Sequence, residues 1–393
     1  MNKIKNKMKK IHIDNLNNRI SDKKPKRILS LDGGGTKGIV TIAMLQKLER
    51  ELKNLIPPEE RDDFRLNQYF DYIGGTSTGS IIAVLLSLGY SVVRIKEMYM
   101  NLSKKVFGLW SKKWYSFGFL PVYRKGPIEK LLQEILQERK LGDKDILNLL
   151  AIFTKNTNSN NIWTFNNNPQ SKFYNTPSDY PDAFPNKEQY LRDLVRASTA
   201  APIYFPPKEL RIRKETSQKT QHSLFIDGGV SMDNNPAFRL FMMATLPYYK
   251  LTWITGEENI LLISLGTGIF THKYLKGLWS LLKIPDMYIK NSSQTTDTIL
   301  RGLSRHKNRF IIDKELRDLQ PKDFGNKPSL TYLRYNFKYR GLKDYKDKWA
   351  EMDKPGNMQE LYDICTDNFE FDIRDINKAF LGHYHTWHHR LLN

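Results

Sequence analysis

Residues 71–88, DYIGGTSTGSIIAVLLSL, combine a short strand pattern, a serine flanked by glycines and an apolar helix pattern. The first residues are strand-like, and residues 80–88 have the continuous apolar character of a buried helix. Between them, Gly75, Ser77 and Gly79 form a G-x-S-x-G turn, in which glycines remove side chains that would clash around a projecting nucleophile. The helix N-terminus would favour negative charge beside the serine. The alternative is a small-residue turn with an N-capping serine, and the strand–turn–helix context favours the nucleophile.

A second strand–turn–helix unit lies upstream. Residues 27–31 form an apolar run, residues 32–38 read DGGGTKG, and residues 38–53 carry apolar side chains at helical spacing. The turn also satisfies G-x-G-x-x-G, the pattern of a dinucleotide site, but the acids about 20 residues on follow two prolines rather than a strand. Lys37 precedes a glycine, which excludes a Walker A motif. Three interpretations remain from these residues: a dinucleotide site, a nest of amides that binds an oxyanion, and a turn that serves packing alone.

A third motif, Asp227-Gly228-Gly229, follows the strand pattern at residues 224–226 and places a carboxylate at a strand end. Asp-Gly is also a common turn, so this motif by itself is weak. A serine nucleophile needs a base, which is either a carboxylate that contacts it directly or a histidine in a triad. An aspartate has an ordinary pKa of about 4 and is a weak base, so burial or the local electrostatic field would have to raise that pKa. The triad candidates are His272, His306 and the histidines from His383 onward.

Strand and helix patterns alternate along much of the chain. This alternation predicts an α/β fold with a mostly parallel sheet covered on both faces. The further strand patterns are residues 149–153, 162–165, 224–226 and 261–265, and helical patterns occupy residues 128–136 and 191–197.

The three motifs, in this order, resemble those of the patatin-like phospholipases. The resemblance extends over about residues 27–270 and includes three further blocks: Ala197 to Pro207 (ASTAAPIYFPP), Asn234-Asn235-Pro236 and Leu265-Gly266-Thr267-Gly268.

The resemblance implies a three-layer α/β/α fold and an enzyme that hydrolyses fatty acyl esters of membrane phospholipids through a Ser-Asp dyad and an acyl-enzyme. It implies no cofactor and no metal. Ser77 would be the nucleophile and Asp227 the proton acceptor, and the oxyanion hole would be formed by Gly33, Gly34 and Gly35. The other positions that match the family's motifs are Asp32, Lys37, Gly38, Gly75, Gly79, Gly228 and Gly229.

The chain divides into three predicted parts. Residues 1–26 are a basic, flexible tail, and residues 27–290 are the patatin-like hydrolase domain, with its core motifs in residues 27–240. Residues 291–393 are a polar, mostly helical extension.

Composition and one aromatic segment bear on partners and location. Lys and Arg number 62 against 42 Asp and Glu, giving a net charge of +20 that favours an anionic partner such as lipid headgroups or nucleic acid. The sequence has no nucleic-acid motif, so no nucleic acid is expected, and no motif identifies an activating small molecule or protein or an oligomeric state.

The segment from Phe107 to Tyr123 interleaves cations with aromatics, and its membrane or lid candidates are Trp110, Trp114, Phe117 and Phe119. The alternative for that segment is ordinary core packing.

The sequence has no apolar run long enough for a transmembrane helix and no cleavable signal peptide. A single cysteine, Cys365, fits a reducing compartment. We therefore expect a cytoplasmic protein that associates peripherally with a membrane, preferably an anionic one, with export by another route left open. The alternative functions are a lipase with a Ser-His-Asp triad and a basic membrane-binding protein with a vestigial site.

Overall fold

The computed structural model describes residues 16–17, 19–108, 121–215, 221–270, 284–306, 315, 317–339, 342 and 346–381. The strands are, in chain order, β1 (Lys26–Leu31), β2 (Tyr72–Thr76), β3 (Leu149–Asn156), β4 (Ile162–Asn166), β5 (Lys208–Arg211), β6 (His222–Asp227), β7 (Ile260–Leu265), β8 (Ser304–Arg305) and β9 (Leu330–Tyr335). The α-helices are α1 (Gly38–Lys53), α2 (Leu66–Tyr69), α3 (Thr78–Ser87), α4 (Val92–Val106), α5 (Lys125–Leu136), α6 (Leu191–Ser198), α7 (Ala237–Thr245), α8 (Ile284–Leu303) and α9 (Met358–Asn368). None of the helices within these ranges is long and apolar enough to cross a membrane.

The strands form one sheet in the order β5-β6-β3-β2-β1-β7-β9-β8, and β4 also pairs with β3. Every pair from β3 through β8 along this order is parallel, whereas β4, β5 and β6 are antiparallel to their neighbours. The central strands β1 and β7 are buried along their whole length, as expected for parallel strands covered on both faces. The sheet is therefore mixed, with a parallel centre and an antiparallel edge.

Successive residues of the central strands point to opposite faces of the sheet, and each face has its own core. Leu29 and Ile73 belong to the larger core, which packs against α1, α3 to α6 and α9. Ile28 and Tyr72 belong to the smaller core, which packs against α7 and part of α8. Helices thus cover both faces, and the predicted three-layer α/β/α fold is confirmed.

The fold brings the two glycine-containing turns together. Parallel pairing places Leu31, at the end of β1, opposite Gly75 in β2. Each strand therefore ends at the same edge of the sheet and continues there into its turn and helix. Ligand sites of open α/β sheets lie at this edge, outside the carboxyl ends of the strands.

Part of the predicted flexible tail is packed against the fold. Leu16 and Ile20 are buried in the smaller core, and the indole of Trp253 donates a hydrogen bond to the Ile20 carbonyl (3.1 Å). Lys26 is already part of β1. The apolar pair at i and i+4 gives this segment one buried face, which its many Lys and Asn residues obscure in the sequence.

The predicted boundary at residue 290 does not separate two structural units. It falls inside α8, and β9 from the predicted extension pairs with β7 within the central sheet. The expectation of a polar, mostly helical extension is wrong at β9, which is a buried strand. The strand contains the charged residue Arg334, and the local sequence does not reveal the partner that lets this residue be buried.

Candidate functional site

Ser77 occupies the tight turn between β2 and α3. Its backbone has φ 54° and ψ −125°, a conformation that non-glycine residues adopt only at a cost of about 1–3 kcal/mol. A side chain at Gly75 would collide with the carbonyl of Gly79, and one at Gly79 would collide with the Leu31 carbonyl. Gly75 therefore lets the turn close on the start of α3, and Gly79 lets that turn pack closely against the end of β1. Ser77 is the N-cap of α3, yet within the described residues its side chain makes no capping hydrogen bond to that helix.

The Ser77 hydroxyl instead donates a hydrogen bond to Asp227 Oδ2, with 2.6 Å between the oxygens. Both side chains are buried, with exposed fractions of 8% for Ser77 and 4% for Asp227. Asp227 Oδ1 accepts a second hydrogen bond from the Gly229 amide (2.7 Å). Burial raises the pKa of Asp227 to about 7, although the hydrogen bonds from Ser77 and Gly229 act in the opposite direction. A carboxyl with this pKa can accept a proton near neutral pH.

Ser198 fixes the backbone of the turn from the other side. Its Oγ accepts a hydrogen bond from the Ser77 amide (2.9 Å) and donates one to the Phe153 carbonyl (2.7 Å). The neighbouring Ala200 carbonyl accepts from the Asp227 amide (3.0 Å). The small-residue run at the end of α6 thus positions both members of the pair, a role that the sequence analysis did not assign to it.

The glycine turn after β1 lies directly against the serine. The Gly33 amide donates to the Asn234 carbonyl (3.1 Å), and a side chain at Gly33 would come within 3.0 Å of Ser77 Cβ. Its amide is therefore engaged, which differs from the predicted oxyanion-hole role. Gly34 and Gly35 line the cavity beside Ser77.

Asp32, the first residue of this turn, makes a buried ion pair with Arg334 of β9. The guanidinium contacts both carboxylate oxygens, at 2.8 and 2.6 Å, and also donates to Ser264 Oγ (2.7 Å). Lys37, at the other end of the turn, is buried and donates to the Ala350 carbonyl (3.4 Å). Both charged motif residues thus hold the turn against segments that lie far away in the sequence.

The geometry disfavours a dinucleotide site in this turn. The Thr36 amide donates to the Met352 carbonyl (2.7 Å), and a side chain at Gly35 would collide with the same carbonyl. The protein's own backbone therefore occupies space directly against this turn.

An apolar cavity extends from Ser77 and Asp227 into the larger core. Its walls are formed chiefly by α3, α4, α5 and the segment after α6, and include Ile81, Leu102, Val106, Ile128, Pro202 and Phe205. Such a mainly apolar lining suits a hydrocarbon chain, and the serine hydroxyl and the carboxylate are among its few polar groups.

The histidine alternative finds no support in the described part of the chain. His222 is exposed on β6, and His306 Nε2 contacts Asp318 Oδ1 at 2.9 Å. The cavity-lining residues that the structure describes include no histidine. His272 and the histidines from His383 onward lie outside the described residues, as do the aromatic candidates Trp110, Trp114, Phe117 and Phe119.

The sequence of this chain is similar to that of a known protein family. Residues 29–241 match the family model for patatin-like phospholipase. Patatin-2-Kuras 4 of Solanum tuberosum is 29% identical over 254 residues, which cover 61% of this chain and 62% of that protein. A cGAMP-activated phospholipase of Escherichia coli (strain TW11681) is 27% identical over 254 residues, covering 63% of each chain. These matches span less than two thirds of the relatives' own length. The crystal structure of VipD from Legionella pneumophila aligns over 87% of this chain and 67% of that one, with 13% identity and a TM-score of 0.33.

Proposed function

The chain belongs to the patatin-like phospholipase family, and we propose that it is a lipid acyl hydrolase that cleaves fatty acyl esters of membrane phospholipids. The observation that carries this proposal is the 2.6 Å hydrogen bond from Ser77 to Asp227 in the lining of an apolar cavity. A serine hydroxyl becomes an effective nucleophile when an adjacent base accepts its proton. Here the base is a buried carboxylate, and the cavity offers space for an acyl chain.

In the first half of the proposed reaction, Ser77 Oγ attacks the ester carbonyl while its proton passes to Asp227 Oδ2. The negative charge then develops on the former carbonyl oxygen, beside the N-terminus of α3. We assign the stabilising donors to the amides of Gly34 and Gly35, since both residues line the cavity and the Gly33 amide already donates to Asn234. Preorganised donors of this kind lower the barrier because they need not reorient as charge develops.

Collapse of the tetrahedral intermediate breaks the ester bond and leaves the acyl group on Ser77. Asp227 returns its proton to the departing lysophospholipid oxygen. A water molecule then attacks the acyl-enzyme and transfers a proton to Asp227, and the fatty acid departs as the proton returns to Ser77. The carboxyl acts as base in each attack and as acid in each departure, which suits a pKa of about 7.

Peripheral membrane association completes the proposal. The net charge of +20 favours a surface with anionic lipids, and each basic residue near such a surface contributes about 1 kcal/mol. The aromatic segment with Trp110 and Trp114 is the proposed contact or lid.

The test is fatty acid release from phosphatidylcholine vesicles, with and without an anionic lipid, by the parent protein, Ser77→Ala and Asp227→Asn. Ser21→Ala and Asp62→Asn are matched controls, because both residues are exposed. We expect release by the parent and the controls, and its loss in both site variants. Activity that survives Asp227→Asn would refute the dyad and revive a histidine base. Binding of vesicles without any release would favour a membrane-binding protein with a vestigial site.

A further inference from the structure

A short segment near the end of the described chain crosses the candidate site. We call residues 349–353 (Trp-Ala-Glu-Met-Asp) the strap. The strap lies outside residues 29–241, the part that matches the family model. It nevertheless contacts the glycine turn at the carboxyl edge of the sheet.

Two hydrogen bonds attach the strap to that turn. The Met352 carbonyl accepts from the Thr36 amide (2.7 Å), and the Ala350 carbonyl accepts from the Lys37 ammonium (3.4 Å). Both donors belong to the DGGGTKG motif. Met352 also packs so closely on Gly35 that a side chain there would collide with its Cβ and carbonyl. The strap is thus fixed beside the glycines that line the cavity.

Two further contacts hold the ends of the strap. At one end, the indole of Trp349 is buried and donates to Glu360 of α9 (2.9 Å). At the other end, Asp353 Oδ2 accepts from the Tyr123 hydroxyl (2.7 Å). The Tyr123 ring packs against Phe107, a cavity-lining residue, with 5.2 Å between ring centroids. The strap therefore connects the glycine turn with aromatic residues that pack against the cavity wall.

Met352 lines the same cavity as Ser77 and is partly buried. On the basis of the proposed function, we infer that Met352 is a specificity-determining residue that limits the space for the acyl chain beside Ser77. The strap supplies this wall from outside the family-matched region. The residue that selects the substrate then lies outside residues 29–241, whereas Ser77 and Asp227 both lie within them.

The test measures kcat/KM on a series of p-nitrophenyl esters from butyrate to palmitate. Met352→Ala shortens the side chain to a methyl group and leaves room for about two methylenes, each of which contributes about fourfold when buried. We therefore expect the palmitate-to-butyrate ratio of kcat/KM to rise about fifteenfold. Met352→Phe fills the space and is expected to lower the same ratio. Met232→Ala makes the same chemical change at an exposed position outside the cavity lining and should leave the ratio at the parental value.

A second pair of variants tests the attachment of the strap. Asp353→Ala removes the acceptor for Tyr123, so the expected result is a broadened chain-length profile. Asp353→Asn keeps an oxygen that can accept the same hydrogen bond and should retain the parental profile. Unfolding midpoints of all variants confirm that folded proteins are compared.

The outcomes separate this inference from the proposed function. A parent protein that cleaves no ester and no phospholipid would refute both. A parent that cleaves esters, with the same palmitate-to-butyrate ratio in Met352→Ala and Met352→Phe, would refute the role of Met352 alone. Opposite shifts in those two variants would support it.

Discussion

Replacing Asp227 by asparagine separates the charge of this residue from its shape. In the structure, one carboxylate oxygen accepts from the Gly229 amide and the other accepts from Ser77. An asparagine oxygen can accept from the same amide, while its NH2 group can donate to Ser77 Oγ. Asp227→Asn therefore preserves both contacts and removes the titration. We expect this variant to lose hydrolytic activity and to gain stability at neutral and alkaline pH.

The size of the gain follows from the pKa. Burial raises the pKa of Asp227 from 3.8 to about 7. This shift of about 3 units corresponds to about 4 kcal/mol, at about 1.4 kcal/mol for each unit. Because the folded-state pKa is the higher one, the folded protein holds the proton more tightly than the unfolded chain. The parent therefore loses stability as the pH rises from about 4 to about 7, and the cost is complete above that range.

The assay is urea unfolding of the parent and Asp227→Asn at about pH 5 and about pH 8. The stability difference between the two proteins should grow by about 2–3 kcal/mol from the lower pH to the higher, in favour of the variant. Other titrating groups are common to both proteins and cancel in the difference. Asp62→Asn, at an exposed position, should show no such growth. In the parent, kcat/KM should rise with pH around a midpoint of about 7. A pH-independent stability difference, together with an activity midpoint below about pH 5, would refute a buried base with a raised pKa.

Three other substitutions test the surroundings of the dyad. Ser198→Ala removes the acceptor for the Ser77 amide, so we expect kcat to fall about tenfold with little change in KM. Steady-state kinetics on one soluble ester measures both constants. An effect confined to KM would contradict the positioning role of Ser198. Arg334→Leu leaves the Asp32 carboxylate buried without its partner and should lower the free energy of unfolding by about 3–5 kcal/mol in urea titrations. Adding Asp32→Leu should recover most of that loss, whereas additive losses would argue against direct pairing. His306→Gln should leave kcat within about twofold of the parent, because the imidazole contacts Asp318 and does not line the cavity. A loss of several hundredfold would point to a histidine base.

Local patterns predicted the elements that carry the motifs. The helix predicted over residues 38–53 has the same bounds in the structure, and the strand predicted at residues 149–153 lies within β3. Ser77, predicted from its strand–turn–helix context, and Asp227, whose role the family resemblance implied, lie in hydrogen-bond contact. These signals are local, because hydrophobic periodicity and turn glycines act within a few residues of one another.

The missing parts depend on contacts between distant segments. Nothing near Arg334 indicates that its partner is Asp32, and nothing near Met352 places it against Gly35. The three glycines of the turn look equivalent in the sequence, yet the Gly33 amide is engaged by a carbonyl more than two hundred positions away. Strand β9 was missed for a related reason, since a charged residue is buried in it once the partner is present.

The position of β7 bears on any attempt to shorten this protein. β1 has two neighbours, β2 on one side and β7 on the other, and β7 begins after the family-matched region ends at residue 241. A chain cut at that residue would turn β1 from a central strand into an exposed edge, with a row of unpaired backbone N–H and C=O groups. Apolar edges of this kind pair with other molecules and promote aggregation. A soluble fragment that retains the dyad therefore has to extend at least through β9. This strand pairs with β7, and its Arg334 contacts Asp32 at the end of β1.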